Sequence, residues 1–400
     1  MDLDNLFKTS SNKISKQSGN IDLVVSDDSK FVDSVNELYA IEGFEKPEHI
    51  ANLHDEDAWD KIKVKVRNVI IDFRTNNDIV DEVSDISTKL DVDINIIAVS
   101  NLDSIKVKDQ VLSLGANYVL WDDELNELLA TLLSLNGINK VQSTTKKTRI
   151  AKRVLFLGTK GGIGLSAITS LLAHTLSESA NLKTLLVDHD SGALNSDMFL
   201  AIKGLKIRQT SADIVNKELD NAIAKTYVNK AREKLDYLML ERHGEGHSEH
   251  TNTLYNLSQQ LVDEYNFIID AMPLNGFDQL NPSELSERYH RIFIVCEQSV
   301  SSLRAYNGLK RKLEKTPHFL IFSQTRPAKD FVIPLDNAKV RIKQKETIDI
   351  MYEPSLEKIF VHKGPVGVME TKFSDPVRAI VANLTGKTII RKKRFKLFNR

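Results

Sequence analysis

Thr159-Lys-Gly-Gly-Ile-Gly-Leu-Ser-Ala167 places three glycines, one lysine and one serine within nine residues. Gly161, Gly162 and Gly164 relieve the backbone of Cβ clashes, so successive N–H groups can curl around phosphate oxygens. Lys160 offers a countercharge, and Ser166 offers a hydroxyl to Mg2+. A phosphate-binding loop ordinarily carries a second lysine just before that serine, to reach the β/γ-phosphates, and here the position is Leu165.

Carboxylates follow in chain order. Thr184-Leu-Leu-Val-Asp188-His-Asp190 is an apolar run ending in two aspartates one residue apart, and strand alternation predicts that both point to the same side. Tyr265-Asn-Phe-Ile-Ile-Asp270-Ala-Met-Pro273 ends in a third. Each alone would serve equally well as a strand-end cap. Three such signals in order after one glycine loop point to a nucleotide site, because ligands bind beyond the carboxyl ends of parallel strands.

The elements that must position these groups are legible. Arg153-Val-Leu-Phe-Leu157 reads as a buried parallel strand. From Ser166 to Ser177, Ile168, Leu171, Leu172 and Leu176 fall at helical spacing. The loop therefore leads into a helix N-terminus, where unbonded N–H groups and the dipole favour an anion. Earlier in the chain, apolar runs at 21–25, 68–72, 94–99 and 117–120 alternate with amphipathic segments near 29–41, 78–90, 103–114 and 123–135. This predicts a five-stranded doubly wound sheet, with its remaining strand weakly marked near 62–66.

Composition sets outer limits. Four hundred residues suggest two or three domains, and no apolar run approaches the roughly 20 residues of a membrane span. The start, Met1-Asp-Leu-Asp-Asn-Leu-Phe, lacks signal-peptide character, so a cytoplasmic location is expected. Cys296, the single cysteine, lies in an apolar run and reads as a core residue; one thiol excludes an iron–sulfur cluster. The net charge of −1 hides an asymmetry: residues 1–140 carry −13 and residues 141–400 carry +12. Different partners for two domains and mutual attraction of the halves both account for it. The polar stretch 137–150 reads as a linker, which gives a tail at 1–19, a first domain at 20–136, a second at 151–388 and a basic tail at 389–400.

Lys160-Gly-Gly-Ile-Gly-Leu-Ser166 resembles the deviant Walker A motif of the MinD/ParA superfamily, Lys-Gly-Gly-x-Gly-Lys-Ser/Thr, with the first lysine kept and the second replaced. The resemblance implies ATP and Mg2+ as cofactors. The nucleotide would be held by Thr159, Lys160, Gly161, Gly162, Ile163, Gly164, Leu165, Ser166 and Ala167, with Asp188 and Asp270. Ser166 and Asp270 would hold the metal, partly through water, and Asp190 would orient the attacking water. Lys160 would reach the nucleotide of the partner in a homodimer. Leu165 removes a transition-state cation and Ala167 a hydroxyl, so hydrolysis is expected to be slow or weak.

The first domain resembles a response-regulator receiver: Asp27 and Asp28 match its acidic pair, Asp72 its phosphoacceptor and Ser100 its hydroxyl. It departs at Leu120-Trp121-Asp122, where receivers carry Lys-Pro. A degenerate docking or dimer surface is therefore expected, with Asp122 adding repulsion. A receiver-like (flavodoxin-like) α/β domain followed by a MinD/ParA-like P-loop domain with a mostly parallel sheet is the order found in the TadZ/CpaE family of Flp (Tad) pilus assembly proteins. That resemblance implies localisation at a cell pole on the inner-membrane surface, and recruitment of the pilus secretion ATPase and other Tad machinery. DNA is not among the expected partners. A ParA-like partition ATPase and a response regulator with an ATPase output are the alternatives.

Three segments stay open. Ser323, Gln324 and Thr325 could donate to a base or form a plain turn before Pro327. His243-Gly-Glu-Gly-His247-Ser-Glu-His250 reads as a surface loop rather than a zinc site, because two glycines oppose a continuous helix. The tail Arg391–Arg400 mixes six cations with Phe395, Leu397 and Phe398, which suits either peripheral membrane contact or a solvated end.

Overall fold

The computed structural model describes residues 20–52, 65–76, 78–122, 124–135, 150–190, 196–209, 219–242, 246–277, 282–313, 316–344, 346–386 and 389. Both expected tails, apart from residue 389, and most of the expected linker lie outside them. The chain divides into two compact units, residues 1–87 with 93–147, and residues 88–92 with 148–400. Both are α/β with mostly parallel sheets.

The first unit is a five-stranded sheet of β1 (Asn20–Val25), β2 (Glu48–Ile50), β3 (Lys65–Asp72), β4 (Asn95–Ser100) and β5 (Asn117–Leu120), in the order β2-β1-β3-β4-β5. Every pairing is parallel. Of the strand expected near 62–66, residues 65 and 66 open β3 and residues 62–64 lie outside the described residues; the fifth strand of the sheet is β2. Three residues are too few to show alternation, which is why β2 left no pattern in the sequence. Val24, Ile70, Ile97 and Val119 of the strands pack against Phe31 and Val35 of the helix Ser29–Ile41 and Leu128 and Leu132 of the helix Asn126–Leu135. Asp28 caps the first of these helices by accepting from the Lys30 N–H at 2.9 Å.

The second unit holds β6 (Lys152–Gly158), β7 (Thr184–Asp188), β8 (Arg208–Gln209), β9 (Val228–Arg232), β10 (Leu235–Leu238), β11 (Leu240–Glu241), β12 (Phe267–Met272), β13 (Arg291–Cys296), β14 (Phe319–Ser323) and β15 (Ile348–Ile350). Eight of them form one sheet, β15-β14-β13-β6-β12-β7-β10-β9, antiparallel only between β9 and β10. The remaining two, β8 and β11, pair separately. Alternation along β6 separates the two cores. Val154 and Phe156 pack with Ile168, Leu171 and Leu172 of the helix Leu165–His174, whereas Leu155 and Leu157 pack with Leu303 and Leu309 of the helix Val300–Leu313. The helix after the glycine loop is buried from Ala167 onward and runs into a π-helical turn, Thr175–Ser179. Among the described residues, no helix is long and apolar enough to cross a membrane.

Candidate functional site

β6 is a central strand, and its carboxyl end feeds directly into the glycine loop. Thr159 fixes the root of the loop: its N–H and hydroxyl both donate to the Val295 carbonyl at 3.0 Å, and its Oγ1 lies 2.7 Å from Ser302 Oγ. Ile163 is buried as an anchor, while Gly161 and Gly162 are exposed, with nothing within 4 Å of where a Cβ would stand. Gly162 and Gly164 adopt φ of +74° and +83°, conformations that non-glycine residues reach only with strain. Gly164 is the N-cap of the helix Leu165–His174, and no side chain caps that terminus. The first-turn amides thus offer a ready anion cradle.

Leu165 fills a specific place. A Cβ on Gly158 would lie 3.3 Å from Leu165 Cδ2 and 3.5 Å from Ile163 Cδ1, so the leucine folds back over the end of β6. The loop is lined with an apolar group where an ammonium would otherwise stand. Ser166 is half-buried and Ala167 buried. Lys160 is turned to its own chain, its Nζ 2.5 Å from Glu297 Oε1. Glu297 follows β13; its Oε2 accepts from Thr325 Oγ1 at 2.9 Å, and its N–H donates to Ser302 Oγ at 2.9 Å. Burial pushes this carboxyl up, but the bonds from Lys160 and its neighbours prevail and hold it below the usual range.

Asp188 ends β7 and Asp190 lies two residues beyond it, joined to it through the backbone. The Asp190 N–H donates to Asp188 Oδ1 at 3.1 Å. Asp188 is buried and also accepts from Ser196 Oγ at 2.6 Å and the Tyr237 hydroxyl at 3.2 Å, with its pKa raised by burial. Its role in the structure is to fix the end of β7, leaving the half-buried Asp190 as the carboxylate nearer solvent.

Asp270, expected in the metal set, is engaged in ion pairs within the chain. On β12, Ile269 and Ala271 pack in the core that holds the helix Leu165–His174, so alternation turns Asp270 to the opposite face of the sheet. It is wholly buried there: Oδ2 accepts from Arg153 Nε at 2.6 Å, and Oδ1 from His189 Nε2 at 2.7 Å. Burial alone would raise its pKa, yet the Arg153 guanidinium and His189 bring it down to about 2. Arg153 is itself held by Gln259 and Ser258 and lies over the Tyr255 ring at 4.2 Å. This carboxylate is paired within its own chain by Arg153 and His189.

The remaining open segments are resolved in part. Thr325 is committed to Glu297, and a Cβ on Gly164 would stand 3.3 Å from Ser323 Oγ, so both residues brace the loop. The expected histidine loop becomes helical from His247 onward, in the helix His247–Gln259, with His250 buried; residues 243–245 lie outside the described residues. Glycine at 246 starts that helix as its N-cap instead of interrupting it. No group of three or more histidine, cysteine, aspartate or glutamate side chains among the described residues could hold a metal.

In the first unit, sequence reasoning missed Arg74. Its Nε and Nη2 donate to the two Asp72 oxygens at 2.9 Å each, and Nη2 also donates to Asp28 Oδ2 at 2.6 Å. The guanidinium lies 4.7 Å from the Phe31 ring centroid and 4.5 Å from that of Trp121. Ser26 Oγ completes the cluster with a 2.8 Å bond to Asp72. A countercharge is therefore built in, two residues past the strand instead of at its neighbour. The Asp122 carboxylate accepts from the Asn126 and Glu127 N–H groups at the next helix. Wild-type protein incubated with acetyl phosphate is expected to show no acyl-phosphate at Asp72 by mass spectrometry, since both oxygens are committed. Stoichiometric labelling would contradict this.

No protein-family model and no curated protein matches the chain. It is similar in structure to a ParA family ATPase from Chlorobium tepidum, at 22% identity over 57% of this chain and 97% of that one, with a TM-score of 0.47. It is also similar to the MinD cell division protein of Aquifex aeolicus, at 20% identity over 60% and 100%, TM-score 0.45. A third is the septum site-determining protein MinD of Pyrococcus horikoshii complexed with Mg-ADP, at 17% identity over 60% and 100%, TM-score 0.47.

Proposed function

We propose that this chain is an ATP-binding, MinD/ParA-like protein that dimerises with nucleotide, hydrolyses it slowly, and positions Flp (Tad) pilus assembly and secretion machinery at a cell pole. The observation that carries the nucleotide half is the uncapped helix N-terminus behind Gly164, reached from a central parallel strand through two glycines of positive φ. In this reading the amides of residues 161–167 hold the β- and γ-phosphates. The Ser166 hydroxyl would hold the Mg2+ carried by the nucleotide, and Asp190 would orient water. Asp270, paired with Arg153 and His189, also holds the sheet. Slow turnover follows from Leu165, because no ammonium enters the loop from that position.

The pilus half rests on the order of a receiver-like unit before the P-loop unit, together with the lysine replacement in the loop. Calorimetric titration with ATP at millimolar Mg2+ tests the first half; no heat of binding would end it. A fluorescent fusion imaged with and without the pilus genes tests the second. A polar focus that persists without the other pilus genes is expected, because the chain positions their products, and a nucleoid-associated signal would favour DNA partition instead.

A further inference from the structure

The contact between Lys160 and Glu297 joins the cation of the glycine loop to a carboxylate that is only 2% exposed, while the lysine remains 36% exposed. Two other bonds brace the carboxylate and its backbone, from Thr325 and to Ser302, and Ser302 also touches Thr159 at the root of the loop. The acid is therefore fixed and the lysine is the movable partner. The phosphates of a bound nucleotide, in this loop or across a dimer in the loop of a second copy, bring negative charge toward the same lysine. If Lys160 turns to it, Glu297 is left as a buried charge with its main countercharge gone, which is costly.

We propose that Glu297 is a positioning residue that restrains Lys160 and sets the threshold at which a nucleoside triphosphate captures it. This rests on the nucleotide-binding reading above. The triphosphate must outbid a buried carboxylate, so ligands with more negative charge are favoured. ATP then gains over ADP at the loop itself, independently of any contact to the base. Thr325 is part of the device, because its hydroxyl shares the load on the second oxygen.

Titration calorimetry with Mg-ATP and Mg-ADP separates the outcomes. Glu297→Gln keeps an acceptor for Thr325 and removes the charge; it is expected to bind ATP about tenfold more tightly, equal to about 1.4 kcal/mol. In a Lys160→Ala background the same change should give much less, because the effect passes through the lysine. ATP-over-ADP preference should fall in Glu297→Gln. Should that variant not fold, Thr325→Val provides the opposite sign: Oε2 loses its hydroxyl, leans harder on Lys160, and ATP binding weakens several-fold. If wild type binds ATP and Glu297→Gln binds no tighter, or gains equally without Lys160, the restraint is overturned while the nucleotide site stands. If wild type binds no ATP, both fall.

Discussion

Replacing Arg153 by methionine is expected to lower the stability of the second unit by about 3–5 kcal/mol at pH 7, read from urea unfolding. Methionine fills the volume but leaves Asp270 as a wholly buried carboxylate with His189 as its remaining partner in the pair. The pH dependence should change sign. In the wild type the folded Asp270 pKa is depressed to about 2, so its stabilisation is present above the unfolded value near 4 and is lost as pH falls toward 2. Without the guanidinium, burial dominates and raises the folded pKa above the unfolded one. The variant's deficit should then shrink between pH 7 and pH 4.5 as the carboxyl takes up a proton. Adding Asp270→Leu removes the stranded charge and should recover much of the loss. A deficit below about 1 kcal/mol in the single variant would show that the pair is not a structural keystone.

Asp270 also marks a limit of sequence reasoning. The strand around it was legible, because Phe267, Ile268 and Ile269 form an apolar run. Which face its carboxylate takes was not, because a fully buried strand has no polar side to set the register. The decisive signals were charged or polarisable residues inside apolar context, Arg153 opening a strand and His189 between two aspartates. A buried ion needs a partner, so a charged residue within a core strand predicts a second one on the same face.

The glycine loop was legible for the opposite reason. Gly162 and Gly164 are at positive φ, and only that residue type meets such a demand cheaply, so local chemistry was enough. Lys160 was found as a cation, but its partner Glu297 lies more than a hundred residues away and became visible only when β13 was placed beside β6. Arg74 was overlooked because the search for a countercharge stopped at the end of β5, where a receiver keeps it. The guanidinium reaches Asp72 from the end of β3, and Trp121 supplies a ring beneath it.

Leu165→Lys is expected to raise ATP hydrolysis about a hundredfold, measured as phosphate release under saturating Mg-ATP. The position opens the helix proposed to receive the phosphates, and Leu165 is only partly buried, folded over Gly158. A lysine can follow the same path with its methylenes and carry its ammonium onward. Removing a single preorganised donor costs about 10²–10³ in rate in sites that have one, so restoring the donor should recover a gain of that order. The cost in packing is small, because the alkyl stem replaces the leucine contact. Two measurements separate catalysis from binding: a cation used only in the transition state raises kcat with little change in KM, whereas one used equally in the ground state lowers KM alone. An unchanged kcat with tighter ATP binding would mean that the slow step lies elsewhere, in the restrained Lys160 or in the placement of Asp190. No change in either would remove Leu165 as the reason for weak turnover. An increase in kcat would identify the leucine as the residue that favours holding ATP over spending it.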